Sequence, residues 1–393
     1  MSWEKVTLGE LYTVHNGLSK GREFFGEGFP FLSFSNVFNN YFIPDELLDL
    51  VQSSEKEQND YSIKRGDVFV TRTSETSDEL GMSCVALKDY PTATYNGFTK
   101  RMRPINANRV LPEYIGYYMR MPSFRGNFRA FSTMTTRASL RNEDLLSLEV
   151  LLPSLEIQKR IASILLNYDN LIKNNQKQIK LLEEAAQRLY KEWFVDLHFP
   201  RYESATITDG VPEGWSLEYL TDVADVQYGY AFDGSLFNDK GNGKPIIRIR
   251  NIPDGNTKDY TTEEATEQYI VKNGDIVVGM DGEFHINSWS GEDAYLVQRT
   301  CRIKPKNENM KGYLLYAIYE PIKFFEKTVV GATVAHLGKK HIDTIQIMTA
   351  PEKFYIPFQT LFNKRQVLLN QNKKLAESRD RLLPKLMSGE IEV

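Results

Sequence analysis

The feature that most constrains this chain is a long stretch without helix breakers, residues 165–194. It contains neither Gly nor Pro and is rich in Leu, Ile, Lys, Gln and Glu. These residues lose little rotamer freedom in a helix, so the sequence predicts one uninterrupted helix. Two seven-residue series interleave along it as an a/d seam whose one polar member is Asn175. The seam consists of Ile161, Leu165, Tyr168, Ile172, Asn175, Ile179, Leu182, Ala186, Leu189 and Trp193. This pattern favours pairing with another helix, and burial against its own domain is the alternative.

The chain also repeats itself. Trp3 and Trp215 start the two copies, and Gly17 and Gly229 follow at the same offset. Further matching segments are FPFLSFSNV (29–37) with KPIIRIRNI (244–252), KRGDVFVTRT (64–73) with KNGDIVVGMD (272–281), and LRNEDLLSLEVLLP (140–153) with LGKKHIDTIQIMTAP (337–351). The strand-like cores match while the loops between them do not, which indicates two related modules with different preferences.

The long helix occurs twice as well, because KLLEEAAQRLYK (180–191) matches KLAESRDRLLPK (374–385). The second helix carries an apolar residue at every seventh position, namely Leu361, Leu368, Leu375 and Leu382. Its other series is polar, with Arg365, Asn372 and Arg379. The sequence therefore predicts a first module, a first helix, a linker with a second module, and a second helix. These four segments are residues 1–153, 154–199, 200–353 and 354–393.

Composition limits the class of protein. Cys84 and Cys301 are the only cysteines, so we expect no disulfide framework and a reducing cytoplasm. The first residues carry charges where a signal peptide needs an apolar segment, and no apolar run is long enough for a membrane span. A net charge of −4 argues against a uniformly basic nucleic-acid binder. Any nucleic-acid binding must therefore rest on local patches.

Catalytic motifs are missing from the sequence. FFGEG (24–28) matches the glycine-rich loop of methyltransferases in form, but no buried strand leads into it. GNGK (241–244) is too short for a phosphate-binding loop. The five histidines show no metal-binding spacing. We expect no catalytic residue, metal or cofactor in this chain, and an enzyme with an unrecognised site is the alternative.

Binding signals are present instead. Nine basic residues and one acidic residue, Glu113, lie between residues 98 and 141, which predicts a surface that contacts phosphates. A solvated face is the alternative. The corresponding basic residues of the second copy are Arg299, Arg302, Lys304, Lys306, Lys339 and Lys340.

The segment RIRNI is predicted to be a strand with Arg248 and Arg250 on one face, where the first copy has Ser33 and Ser35. Arg commonly contacts guanine through two hydrogen bonds, so the copies could recognise different bases. Pairing of these arginines with carboxylates inside the module is the alternative. The residues predicted to bind DNA are Ser33, Ser35, Asn36, Thr71, Arg72, Thr73, Arg101, Arg103, Thr135, Thr136 and Arg137 in the first copy, and Arg248, Arg250, Asn251, Asp281, His336, Lys339 and Lys340 in the second.

Across nearly its full length the chain resembles the specificity subunit of type I restriction-modification systems. The resemblance is carried by Trp3 and Trp215, LPSLEIQKRIASIL (152–165), LYKEWFVD (189–196), VPEGW (211–215) and RDRLLPKLMSGEIEV (379–393). It implies an α+β fold with two mixed α/β target recognition domains in a pseudo-twofold repeat, separated by two long antiparallel coiled-coil helices.

The resemblance also implies the partners. Each recognition domain would bind one half of a bipartite double-stranded DNA target, and the helices would set the gap and dock two methyltransferase subunits. Motor-nuclease subunits would join for cleavage. S-adenosylmethionine would then belong to the methyltransferase partner, and ATP and Mg²⁺ to the motor-nuclease partner. A coiled-coil scaffold that binds proteins and has no role on DNA is the competing hypothesis.

Overall fold

The computed structural model describes residues 3–74, 80–129, 138–328 and 335–393. The chain forms two compact units. Unit 1 comprises Met1–Asn170 and Leu375–Val393, and unit 2 comprises Leu171–Lys374. Each unit therefore contains a module together with a part of both long helices.

Unit 1 combines short strands with short helices and the N-terminal part of one long helix. Its strands are β1 (Glu4–Thr7), β2 (Tyr12–Asn16), β3 (Phe25–Leu32), β4 (Leu50–Val51), β5 (Val68–Thr71), β6 (Thr73–Ser74), β7 (Ser83–Val85), β8 (Thr94–Tyr95), β9 (Thr99–Pro104), β10 (Ala138–Ser139) and β11 (Glu149–Leu152). Its helices are α1 (Leu8–Leu11), α2 (Phe34–Asn39), α3 (Glu55–Asp60), α4 (Pro112–Tyr118), α5 (Pro122–Arg129), α6 (Asn142–Ser147) and the first part of α7 (Leu155–Tyr190).

Unit 2 is built in the same way. Its strands are β12 (Ile207–Thr208), β13 (Val211–Pro212), β14 (Ser216–Tyr219), β15 (Ala224–Tyr228), β16 (Phe237–Asn238), β17 (Lys244–Ile247), β18 (Tyr260–Thr261), β19 (Ile270–Val271), β20 (Ile276–Gly279), β21 (Ile286–Ser288), β22 (Ala294–Leu296), β23 (Thr300–Pro305) and β24 (Gln346–Thr349). Its helices are α8 (Leu220–Val223), α9 (Lys311–Ala317), α10 (Tyr319–Thr328), α11 (Lys339–Ile342) and the first part of α12 (Ile356–Met387).

The main sheets of the two units have corresponding strand orders. In unit 1 the order is β2-β9-β5-β7, and in unit 2 it is β15-β23-β20-β21. A two-stranded antiparallel pair accompanies each sheet, β1 with β11 and β14 with β24. The central strands β5 and β20 are fully buried apolar runs, as a strand covered on both faces requires. Both follow a tight turn in which a glycine adopts a positive φ, 90° at Gly66 and 87° at Gly274.

The long helix α7 has the predicted amphipathic face. None of its predicted seam positions is exposed, and the buried ones are Ile161, Leu165, Asn175, Ile179 and Ala186. The half-buried ones are Tyr168, Ile172, Leu182, Leu189 and Trp193. After Tyr190 the helix continues as a π-helical turn, Lys191–Val195. The predicted seam of α7 is therefore also the face that it packs inward.

The second helix differs from its prediction. Leu361, Leu368, Leu375 and Leu382 are only half-buried. The buried positions of α12 are Phe358, Phe362, Arg365, Gln366, Leu383, Leu386 and Met387. Several of these pack into the core of a unit, Leu383 in unit 1 and Phe358 in unit 2 for example. The inward face of α12 is thus set by contact with the modules as well as with α7, which a heptad count alone does not capture.

The two long helices contact each other within each unit. In unit 1, Arg379 donates to Asp169 at 2.5 Å. In unit 2, Arg365 donates to Glu183 at 2.6 Å, and Asn175 donates to Gln371 at 3.5 Å. In unit 2 the residue numbers rise along α7 while those of their partners fall along α12, so these segments run antiparallel. In the described part of the chain, no helix is both long enough and apolar enough to cross a membrane.

Candidate nucleic-acid interface

One surface point is built in the same way in both units. In unit 1, the Arg72 amide donates to the Phe98 carbonyl, and the Leu140 amide donates to the Arg72 carbonyl. In unit 2, the Met280 amide donates to the Arg299 carbonyl, and the Leu337 amide donates to the Met280 carbonyl. Three chain segments therefore meet where the central strand of each sheet ends. Five of the predicted DNA-binding residues lie at these two points: Thr71, Arg72, Thr73, Asp281 and His336.

At the point in unit 1, the position equivalent to Met280 carries a half-buried arginine, Arg72. Thr71 is fully buried, and its hydroxyl accepts a hydrogen bond from the Met82 amide. The Nε of Arg72 is buried and has no hydrogen-bond partner among the described residues. Thr73 pairs with Ser139 in a short antiparallel bridge. The large exposed side chain at this point is Phe98, which is 56% exposed.

The point in unit 2 is highly polar. Asp281 forms a backbone bridge with His336, and its carboxylate joins two side chains. Arg299 Nη1 lies 2.6 Å from Asp281 Oδ2, and His336 Nδ1 lies 2.5 Å from Asp281 Oδ1. Lys339 and Lys340 are exposed on the nearby helix α11. The sequence names Arg299 only as one basic residue of the second copy, because its link to Asp281 joins residues that are 18 positions apart.

The basic segment of unit 1 is mostly used inside the fold. Arg103 forms two hydrogen bonds with the fully buried Asp67, at 2.8 and 2.6 Å. Arg101 donates to the Ser62 carbonyl at 2.7 Å and lies over the Tyr95 ring. These contacts hold both guanidinium groups against the interior, although Arg101 Nε is buried without a hydrogen-bond partner among the described residues.

Other members of the segment behave similarly. Lys100 is buried and donates to Asn16 and Asn142. Arg120 donates to the carbonyls of Val37, Asn40 and Ser83. These side chains are therefore engaged inside the fold, and their predicted contact with phosphates stays a prediction. Their positive charges satisfy carbonyl and amide oxygens of the interior, a requirement that composition does not show.

The pKa values of these cations reflect their burial. Burial lowers the pKa of Lys100, and the neighbouring Arg72 lowers it further. Burial likewise lowers the pKa of Arg101. For Arg103, the hydrogen bonds to Asp67 raise the pKa despite partial burial. Arg103 thus differs from Lys100 and Arg101 in that a carboxylate partner outweighs the effect of burial on its pKa.

The strand predicted over RIRNI ends early, which corrects the predicted alternation. β17 stops at Ile247, and residues 249–251 form a 3₁₀ turn, so Arg248 and Arg250 do not share a strand face. In unit 1, β3 stops at Leu32 and α2 begins at once. The reason is a local cap: the Asn251 side chain accepts from the Arg248 amide at 2.8 Å, and the Asn36 side chain accepts from the Ser33 amide at 3.3 Å.

The side chains of this region are largely satisfied. Arg250 forms two hydrogen bonds with Asp259, at 3.2 and 2.5 Å, and Asn251 donates to the same carboxylate. Burial raises the pKa of Asp259, but the hydrogen bonds from Arg250 and Asn251 outweigh it and lower the pKa overall. Ser35 is exposed and accepts from Asn39, and Arg248 lies over the Phe237 ring. The alternative of internal pairing thus applies to Arg250.

Three of the residues predicted to bind DNA, namely Thr135, Thr136 and Arg137, lie outside the described residues. Both cysteines are buried, and burial raises the pKa of each thiol to about 12, so neither is a thiolate nucleophile near neutral pH. In the part of the chain that the structure describes, no group of three or more His, Cys, Asp or Glu side chains could hold a metal ion.

Comparison with known proteins decides the family. Residues 1–184 and 212–353 match the model of the type I restriction modification DNA specificity domain. The chain belongs to this family. The predicted resemblance to a type I specificity subunit is confirmed, and so is the prediction of a DNA-recognition subunit that is not itself an enzyme.

Relatives of the chain span its whole length. It is 25% identical over 409 residues to the type I restriction enzyme MjaIX specificity subunit of Methanocaldococcus jannaschii, covering 98% of this chain and 92% of that protein. It is 23% identical to the HindI specificity subunit of Haemophilus influenzae, covering 99% of each. Its fold is similar to that of the S subunit of a type I restriction-modification system from M. genitalium, with a TM-score of 0.56, 15% identity, and coverage of 98% of this chain and 96% of that one.

Proposed function

We propose that this specificity subunit recognises a bipartite double-stranded DNA target, with each unit binding one half-site. The two long helices pair as an antiparallel coiled coil and set the gap between the half-sites. Two methyltransferase subunits dock on the chain and bind S-adenosylmethionine, and motor-nuclease subunits that bind ATP and Mg²⁺ join the complex for cleavage. This chain supplies recognition and spacing, and its partners supply the chemistry.

The observation that carries this proposal is the pairing of α7 with α12 inside both units. Glu183 lies fourteen positions after Asp169 on α7, and Arg379 lies fourteen positions after Arg365 on α12. Since Arg379 pairs with Asp169 and Arg365 pairs with Glu183, both ion pairs specify the same antiparallel register. Buried polar residues are known to fix the register of coiled coils.

Each ion pair is also tied to its module. Arg365, which is 7% exposed, donates to Ser288 Oγ at 2.6 Å and to Asn287 Oδ1 at 2.8 Å. In unit 1, Tyr117 donates to Asp169, and Arg379 lies over the Tyr41 ring. Each module is therefore locked to the helix pair by specific contacts, as a fixed gap requires. Two binding modules on a stiff connection gain affinity because binding of one half-site presents the other at high effective concentration.

An exposed apolar groove on the helix pair of unit 2 supports docking of a partner. Leu181 is 64% exposed and Val367 is 54% exposed, and Leu182 and Leu368 lie beside them. Apolar side chains clustered in this way on a surface mark a protein contact. We assign this groove to a methyltransferase subunit.

The test is to produce the chain with the methyltransferase subunit of its own system in cells that lack DNA methylation. Sequencing of methylated sites should give one interrupted motif with a single gap length. Methylation at a continuous motif would contradict the two-half-site proposal. Methylation that does not change when this chain is omitted would contradict its role in recognition.

A further inference from the structure

The polar surface point of unit 2 has the chemistry of a base-recognition site. Arg299 is 66% exposed and Asp281 only 14% exposed, while His336 is 60% exposed. We infer that Arg299 contacts a guanine in the half-site of unit 2, and that Asp281 and His336 position it. This inference rests on the proposed function, since it names what that site recognises.

The guanidinium of Arg299 is held at one end and open at the other. One nitrogen, Nη1, is bonded to Asp281, and no other donor of this guanidinium has a partner among the described residues. Arg presents its donors as a planar fork that matches the N7 and O6 acceptors of guanine in the major groove. A carboxylate that fixes one side of the fork orders the side chain before DNA arrives and so lowers the entropy lost on binding.

Asp281 is suited to this positioning role. Its two oxygens accept from two different cation-forming side chains, Arg299 and His336. The bridge between Asp281 and His336 also holds the backbones together. An unpaired carboxylate beside DNA would be repelled by the phosphates, whereas this one is paired with the Arg299 guanidinium and hydrogen-bonded to His336. His336 keeps its Nε2 for a second contact with the same base pair or its neighbour.

The backbone of Arg299 gives an independent indication. Its φ is 70°, in the left-handed region that non-glycine residues seldom adopt. The conformation is held by the hydrogen bond from the Met280 amide to the Arg299 carbonyl, at 2.9 Å. Backbone strain of this kind is concentrated at functional sites, where the surrounding structure maintains it. Here it turns the side chain of Arg299 toward Asp281.

The equivalent point of unit 1 lacks all three groups. Phe98 occupies the position of Arg299, and Thr73 occupies that of Asp281. An exposed aromatic ring cannot form two hydrogen bonds with guanine, although it can contact the thymine methyl group. Among the described residues, the group of Arg299, Asp281 and His336 therefore has no counterpart at the equivalent positions of unit 1.

The experiment compares methylated motifs of the wild-type complex with those of Arg299→Ala, Arg299→Lys and Asp281→Asn complexes. Arg299→Ala should relax the motif at one guanine of one half-site, with a loss of discrimination of roughly 10- to 100-fold, and leave the other half-site unchanged. Arg299→Lys should relax the same position because Lys lacks the planar fork. Asp281→Asn should relax that position less. Lys272→Ala, an exposed substitution in the turn before β20 and at the opposite end of that strand from Met280, is the matched control and should change nothing.

Each result has a defined meaning. A motif that keeps full guanine discrimination in folded Arg299→Ala protein overturns the inference, and so does relaxation at an A·T pair or in both half-sites. Thermal melts of the variants by circular dichroism establish that they are folded. If the wild-type complex shows no interrupted motif, the proposed function itself fails, which is distinct from an interrupted motif that Arg299 does not affect.

Discussion

The two units use one backbone frame for two different surfaces. Gly17 donates to the Thr99 carbonyl in unit 1, and Gly229 donates to the Thr300 carbonyl in unit 2. At each glycine, an added Cβ would lie 2.0 Å from a carbonyl oxygen, that of Asn96 or that of Val297. Both units thus have glycine where backbone contacts backbone, because the Cβ of any other residue would clash there.

The same comparison shows where the units are free to differ. Next to this shared frame, unit 1 exposes Phe98, and unit 2 exposes Arg299, which is bonded to the mostly buried Asp281. Neither choice disturbs the hydrogen bonds of the frame, since the bonds involve backbone atoms only. Recognition is therefore separated from folding at this point, and one fold can carry different preferences. The predictions that follow test the shared frame first and its finer differences later.

The largest expected effect comes from the two frame glycines. Gly17→Ala and Gly229→Ala should each lower the free energy of unfolding by about 4 kcal/mol, because a backbone carbonyl cannot move away from the new methyl group. Chemical unfolding followed by circular dichroism measures this change. Gly234→Ala, where nothing lies within 4 Å, is the control and should alter stability little. If the free energy of unfolding fell only slightly in either variant, the two units would not be equivalent at this backbone contact.

The next largest effect on stability should come from the interior ion pairs, and it should differ between the two units. Arg103→Met leaves the fully buried Asp67 without its cation, so unit 1 should lose about 3 kcal/mol. Arg302→Met in unit 2 should cost about 1 kcal/mol, because Arg302 lies 3.7 Å from Asp275 and bonds mainly to carbonyls. The same unfolding measurement applies to both. Equal losses would show that the two interiors are more alike than the distances indicate.

The smallest effect concerns two matched tyrosines. The Tyr114 hydroxyl donates to the Leu151 carbonyl, and the Tyr313 hydroxyl donates to the Met348 carbonyl. Tyr114→Phe and Tyr313→Phe should each cost about 1 kcal/mol, the usual net value of one hydrogen bond. Denaturant midpoints of the two variants should shift by similar amounts. A clear difference between the two midpoint shifts would show that the two units differ at this hydrogen bond although their strand orders correspond.

Much of the fold follows from the sequence. The repeat, the buried strands after Gly66 and Gly274, and the inward face of α7 were all predictable, because each depends on local periodicity or turn geometry. The end of β17 at Ile247 was not, since the Asn251 cap overrides an alternating pattern. The inward face of α12 was not predictable either, because both the modules and α7 pack against this helix.

The candidate site was less predictable than the fold. Charge counts placed Arg101 and Arg103 at the surface, yet both guanidinium groups satisfy oxygens of the interior. Arg299 was one of six basic residues named in the second copy, and only the structure placed it beside Asp281. Whether a cation faces solvent depends on contacts between residues distant in sequence, and composition carries no information about those contacts. The roles of the predicted DNA-binding residues remain predictions until binding is measured.

The most direct test of the account is the gap length after inserting one heptad into each long helix. The insertions would lie between Asp169 and Glu183 on α7 and between Arg365 and Arg379 on α12, so that both ion pairs keep their partners. Seven residues add about 10 Å of helix, which corresponds to about 3 base pairs at ~3.4 Å each. The account predicts methylated motifs with unchanged half-sites and a gap longer by about that amount. Unchanged half-sites with an unchanged gap would contradict it.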